Sequence, residues 1–180
     1  GKNLKKFLSI ICLILAFFII YFLQANFFTW FTISGVMPNL FIVLVLFIGL
    51  FIGKKLGLVF GLLFGIYLDL LLGKSVGISG IMLGIVGVLG EYMEKNFSKE
   101  SRVTIILMVA GSTVIYEIGC YIFQILKWNI LIEIIPFIRT LIIEVIFNIA
   151  LVIILYPIIQ RAGYYLENLF KKRTVLTRYF

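Results

Sequence analysis

The sequence predicts an all-α polytopic membrane protein: a bundle of six transmembrane helices forming one integral membrane domain over residues 1–180. Three observations carry this prediction. First, 63% of the residues are hydrophobic and only 13% are charged, with a mean hydropathy of +1.19, which leaves too little polar surface for a water-soluble fold of this size. Second, apolar runs fill almost the whole chain, and the short segments between them hold no second, soluble domain. Third, Gly49, Gly53, Gly57, Gly61, Gly65, Asp69, Gly73 and Gly77 recur every four residues. Small residues at that spacing line one face of a helix and let backbones approach closely, an arrangement tolerated in lipid and costly in water.

Crossing ~30 Å of hydrocarbon at about 1.5 Å per residue places the spans near 7–27, 38–53, 56–72, 75–93, 103–123 and 138–159. After the first run come Phe27, Phe28, Trp30 and Phe31, an interfacial aromatic belt rather than the small-residue cleavage site of a signal peptide. The second run opens at Pro38 and is short. Lys54 and Lys55 divide it from the third, so the turn there is tight and both ammonium groups snorkel to the interface. The fourth run is fully apolar only from Gly77 to Gly90. It either spans, with Lys74 and Glu91 at its boundaries, or is re-entrant. The fifth carries Ser112, Thr113 and Glu117; the sixth carries Glu144 and Asn148. Pro157 is expected to kink the last helix and turn a basic tail, residues 160–180, along the membrane surface.

Charge sets the orientation. With the N-terminus inside, thirteen of the sixteen Lys and Arg residues fall in cytoplasmic segments, and only Lys74, Lys127 and Arg139 lie outside. The positive-inside rule therefore favours six spans with both termini cytoplasmic. The net charge of +8 needs no nucleic acid, because anionic lipid is the ready partner of basic loops and of Arg161, Lys171, Lys172 and Arg173 in the tail. A cytoplasmic protein partner competes for the same tail surface.

Ionisable groups inside spans face a protein interior, a water cavity or a functional partner. Asp69, Glu117, Glu144 and Asn148 either hydrogen-bond across helices or line a polar cavity. The face formed by Gly57, Gly61, Gly65, Asp69 and Gly73 serves either internal packing or a partner's membrane helix. The chain contains no histidine, and Cys12 and Cys120 both sit in apolar runs as small hydrophobes. With no recognisable catalytic pair, metal-ligand cluster or cofactor motif, the expectation is a protein that is not an enzyme and binds no metal.

Several of these features coincide in one family. Pro38-Asn39-Leu40 opening a span, the ladder Gly57, Gly61, Gly65, Asp69, Gly73, then Gly77-Ile78 and a glycine-rich fourth run resemble the bacterial rod shape-determining MreD family, most clearly from Pro38 to Gly90. The final span, with Asn148 and Tyr156-Pro157, is similar to the family's closing segment. The resemblance implies a non-enzymatic scaffold of the cell-wall elongation machinery (the elongasome) in the bacterial inner membrane. It implies binding to MreC, a single-span protein, and action with MreB filaments, with RodA and with its transpeptidase, in directing peptidoglycan synthesis and maintaining rod shape. Self-association into a homo-oligomer stays open. The family is similar in fold to the S-components of energy-coupling-factor transporters, so a vitamin-binding S-component is the rival reading. Against it, the first run carries only Ser9, Cys12 and Ala16 as scattered small residues.

Overall fold

A computed structural model describes residues 1–73, 75–129 and 133–171. Lys74, Lys172 and Arg173, named above, lie outside the described residues. Regular structure among those described is helical: α1 (Lys2–Phe22), running on into a π-turn at Leu23–Phe27, α2 (Leu40–Phe51), α3 (Lys54–Leu72), α4 (Ile78–Asn96), α5 (Arg102–Trp128) and α6 (Ile134–Phe170). Among the described residues, four stretches are long and apolar enough to cross a membrane: Lys2–Phe27, Lys54–Leu72, Arg102–Trp128 and Ile134–Phe170. Successive helices run antiparallel, which gives the bundle an Asp69 end and a Lys99 end.

The shortest helix is the centre of the bundle. α2 has 12 residues, about 18 Å of rise, and every one except Leu44 is buried. A helix that is apolar all round belongs in a core, and here α3, α4, α5, α6 and α1 enclose it. The Asn39 side chain caps its start by accepting from the Ile42 amide (3.4 Å), so Pro38 lies just outside the helix. Its end runs through Ile52 to Gly53, whose φ of +130° sits where glycine is favoured and allows α3 to begin at once.

Glycines bring α2, α3 and α4 into backbone contact. A Cβ on Gly49 would lie 1.9 Å from the Gly87 carbonyl oxygen, and one on Gly57 would lie 2.7 Å from the same atom. A Cβ on Gly87 would come within 2.2 Å of the Gly57 oxygen, so three helices meet at three glycines. Gly61 abuts the Leu83 backbone and Gly65 the Ser79–Gly80 backbone, extending the contact along the whole α3–α4 pair. The glycine face is thus occupied by α4. Gly73 departs from it: nothing would touch its Cβ, and it ends α3 in a left-handed cap at φ +67°.

Two further expectations change. α6 does not turn away at Pro157 but continues as helix to Phe170, and its last turns bury Gly163, Glu167 and Leu169. Arg161 is exposed on this helix, and the described part of the tail is a seated extension of α6. Phe28 leaves the aromatic belt to pack edge-on against Phe147 (5.6 Å) in the core, while Trp30 stays 87% exposed. α4 is one uninterrupted helix of 19 residues, about 28 Å long, and it is not among the four stretches long and apolar enough to cross a membrane.

Gly87→Ala should lower stability by about 2 kcal/mol or more, since the added methyl meets backbone that cannot rotate aside. Gly111→Ala, in an open helical position, should leave stability unchanged or raise it by about 0.5–1 kcal/mol. Thermal unfolding in detergent by circular dichroism measures both; equal melting of the two variants would remove the glycine crossing as a determinant of the fold.

Candidate functional site

Asp69, near the C-terminal end of α3, is fully buried. Its Oδ2 accepts from the amides of Gly77 (2.9 Å) and Ser79 (3.1 Å), the N-cap and second residue of α4. A carboxylate there satisfies donors that have no partner inside the helix and complements the positive end of the helix dipole. The cap is reciprocated at the opposite end of the pair, where Glu91 of α4 accepts from the Lys54 amide at the start of α3 (3.3 Å). Ser79 passes the network to α5 by accepting from the Tyr116 hydroxyl (3.4 Å).

Asn148 joins three elements. Its Oδ1 accepts from the Asn39 amide ahead of α2 (2.8 Å), and its Nδ2 donates to Thr113 Oγ1 on α5 (2.9 Å). Thr113 in turn donates to the Val109 carbonyl (2.8 Å), and Gln24 Oε1 in the π-turn accepts from the Leu40 amide (2.6 Å). The free amides at the start of α2 are thereby held by side chains from α6 and from the turn after α1.

Glu144, one helical turn before Asn148, hydrogen-bonds with Glu117 of α5. Glu117 also borders a cavity of about 270 Å³ between α5 and α6, together with Cys120, Tyr121, Gln124, Phe137 and Thr140. Of the four residues read as a polar cavity, Glu117 lines this one. Asp69, Glu144 and Asn148 are buried, and they do not converge: Glu144 and Asn148 face α5, while Asp69 serves the α3–α4 turn.

The largest ionic cluster sits at the other end, and it is absent from the sequence expectations. Lys99, in the α4–α5 connection, is 7% exposed. Its Nζ pairs with Glu94 (3.0 Å) and with Glu167 of α6, and stands 5.3 Å above the ring of Phe51 at the end of α2. Lys171 completes the set on the other Glu94 oxygen (3.1 Å). The same loop is fastened through its carbonyls, with Gln160 Nε2 donating to Lys99 (3.2 Å) and Tyr156 Oη to Glu100 (3.3 Å). Burial alone would push the Glu94 carboxyl up, but hydrogen bonds from Lys99 and Lys171, with their charges, outweigh it and hold Glu94 below its ordinary value. A signal existed in the sequence: Glu167 is an acid within an otherwise basic tail.

Among the described residues, no group of three or more His, Cys, Asp or Glu side chains is arranged to hold a metal. Asp69 Oδ2, Asn148, Thr113 and Gln24 bind helix ends and one another, while Asp69 Oδ1 and Ser112 Oγ are buried without a hydrogen-bond partner among the described residues.

A family model described as rod shape-determining protein MreD matches residues 5–162. Comparison with curated proteins and with solved structures gives no significant match.

Removing Lys99 breaks the buried ion pair it forms with Glu167, 2% exposed, so Lys99→Ala should cost about 3–5 kcal/mol, whereas Lys55→Ala at an exposed site should cost under about 0.5 kcal/mol. The lowered Glu94 value makes its contribution complete above the ordinary carboxylate range. That contribution falls away as pH drops through the folded-state value, so acidification below about pH 4.5 should reduce the melting temperature. Melting curves from pH 7 to pH 3 check this; a wild-type decline no steeper than that of Lys99→Ala would show that the cluster is not the acid-sensitive element.

Proposed function

The chain belongs to the MreD family of rod shape-determining proteins, and on that footing we propose that it is a membrane scaffold of the cell-wall elongation complex, binding an MreC-like single-span protein. The observation that carries the reading is the extent of the family match, which runs from the start of α1 well into α6. The family is one of structural, shape-determining proteins, and its known role is in rod shape. The internal chemistry fits a scaffold: Asp69, Asn148, Thr113 and Gln24 all join elements to each other.

In this reading the protein crosses the bacterial inner membrane six times, with both termini and the Lys99 end in the cytoplasm. α2 is too short to bridge ~30 Å of hydrocarbon alone, but its neighbours shield it from lipid, so its capped ends lie within protein. The basic residues concentrate at the Lys99 end, consistent with the positive-inside rule. A partner's membrane helix has to use a face other than the glycine ladder, which α4 fills. MreB filaments and RodA with its transpeptidase are reached through the MreC-like partner or along the cytoplasmic rim.

Asn129→Cys, between α5 and α6, should react with a membrane-impermeant maleimide added outside intact cells, and Lys55→Cys should react only after lysis. The reverse pattern would overturn the orientation. Co-expression with the same organism's MreC-like protein should yield a stoichiometric complex in mild detergent. Recovery no greater than with an unrelated single-span protein would sink the scaffold reading.

A further inference from the structure

A second cavity lies on the outside of the bundle, where α1 leans across α2 towards α6. It is a half-open groove of about 590 Å³, floored by α2 and walled by α1 and α6. Along α1 and the first residue of the π-turn its lining runs from Ser9 to Leu23, a rise of fourteen steps or about 21 Å. The walls are hydrocarbon almost throughout, with small residues Cys12, Ala16 and Ala162 keeping the channel open.

We infer that this groove is a binding site for an anionic phospholipid, with an acyl chain along the groove and the headgroup at the Lys99 end. Size, length and charge argue for this occupant together. A helix about 10 Å across needs roughly 1,600 Å³ over 21 Å, nearly three times the space available. A hydrocarbon chain about 4 Å thick at van der Waals contact needs roughly 300 Å³ over the same length. From a C–C bond of about 1.5 Å, roughly sixteen methylenes reach 20 Å in extended form. The volume therefore suits one chain or two, and the length suits a membrane lipid.

Charge locates the headgroup. Lys2 and Lys5 lie seven and four residues before Ser9, so they continue the groove-facing stripe of α1 for two turns beyond the cavity. Lys6 stands over the Phe170 ring at the same mouth, 5.8 Å from its centre. The carboxylates nearest this end, Glu94 and Glu167, are engaged by Lys99 and Lys171. Among the described residues, no ion pair involves Lys2, Lys5 or Lys6. The groove's other end, at Leu23 and Leu40, is lined without a cation. Basic residues at the membrane surface attract anionic headgroups in preference to zwitterionic ones.

The test uses the full-length protein in vesicles of phosphatidylcholine doped with a phosphatidylglycerol that carries a photoactivatable diazirine on one acyl chain. Adducts should map to Cys12, Ala16, Leu44 and Ala162, and unlabelled phosphatidylglycerol should compete them away at least about fivefold better than phosphatidylcholine. Lys2→Gln with Lys5→Gln, both exposed and remote from the core, should bring that preference close to one while adducts remain in the groove. Ala162→Trp should remove the groove adducts. If adducts spread evenly onto the exposed face of α1 at Phe7, Ile14, Phe18 and Phe22, or if the two lipids compete equally against the wild type, the site does not exist. Dimeric protein in native mass spectrometry, lost in Ala162→Trp and accompanied by no lipid adducts in the groove, would assign the groove to a second copy of the chain and overturn the proposal.

Discussion

The crossing of Gly49, Gly57 and Gly87 is the contact on which the rest of the structure depends. Backbone meets backbone there, with no side chain between, and the separation between α2, α3 and α4 is fixed as closely as helices allow. Without a hydrophobic force between helices in lipid, association relies on dispersion across such close surfaces. The trio then forms a slab on which α5 and α6 lie, with α1 attached more loosely through Phe17, whose ring stacks on Phe64 at 4.4 Å. The burial of α2 follows from the same crossing, as does the tightness of the turn at Gly53.

Polar groups finish what the glycines begin, and they do so at the ends of helices. Asp69 and Glu91 cap α4 and α3 from across the pair, while Asn148, Asn39 and Gln24 attend the start of α2. In a low-dielectric interior an unpartnered amide is costly, so these bonds hold helix ends at defined depths. At the far end, Lys99 does for loops what Asp69 does for turns, drawing α4, α5 and α6 together beneath the Phe51 ring.

The all-helical class and the family were legible because they rest on hydropathy and on period-four spacing, both written in one dimension. The glycine ladder was legible as a packing face as far as Gly65 and Asp69; Gly73 shares the spacing but lies beyond the helix, where it serves φ rather than contact. The polar residues were found but not their partners, since Glu117 with Glu144 and Asn148 with Thr113 are separated by about thirty residues and meet only through the α5–α6 packing. Lys99 was hidden for a different reason. Its sequence neighbours Ser98 and Glu100 are exposed and polar, and only the return of Glu167 from 68 residues away buries it. The continuation of α6 through Pro157 was likewise invisible, because it depends on surfaces offered by Phe51 and Lys99 to the turns beyond the proline.

That last helix has a mechanical consequence. At 37 residues α6 has a helical rise of about 55 Å, nearly twice the thickness of a hydrocarbon core, and it is anchored at two levels: by Asn148 near its middle and by Glu167 in its final turn. Those two points are nineteen residues apart, about 28 Å of helix, and they tie the capped start of α2 at one end of the bundle to the ionic cluster at the other.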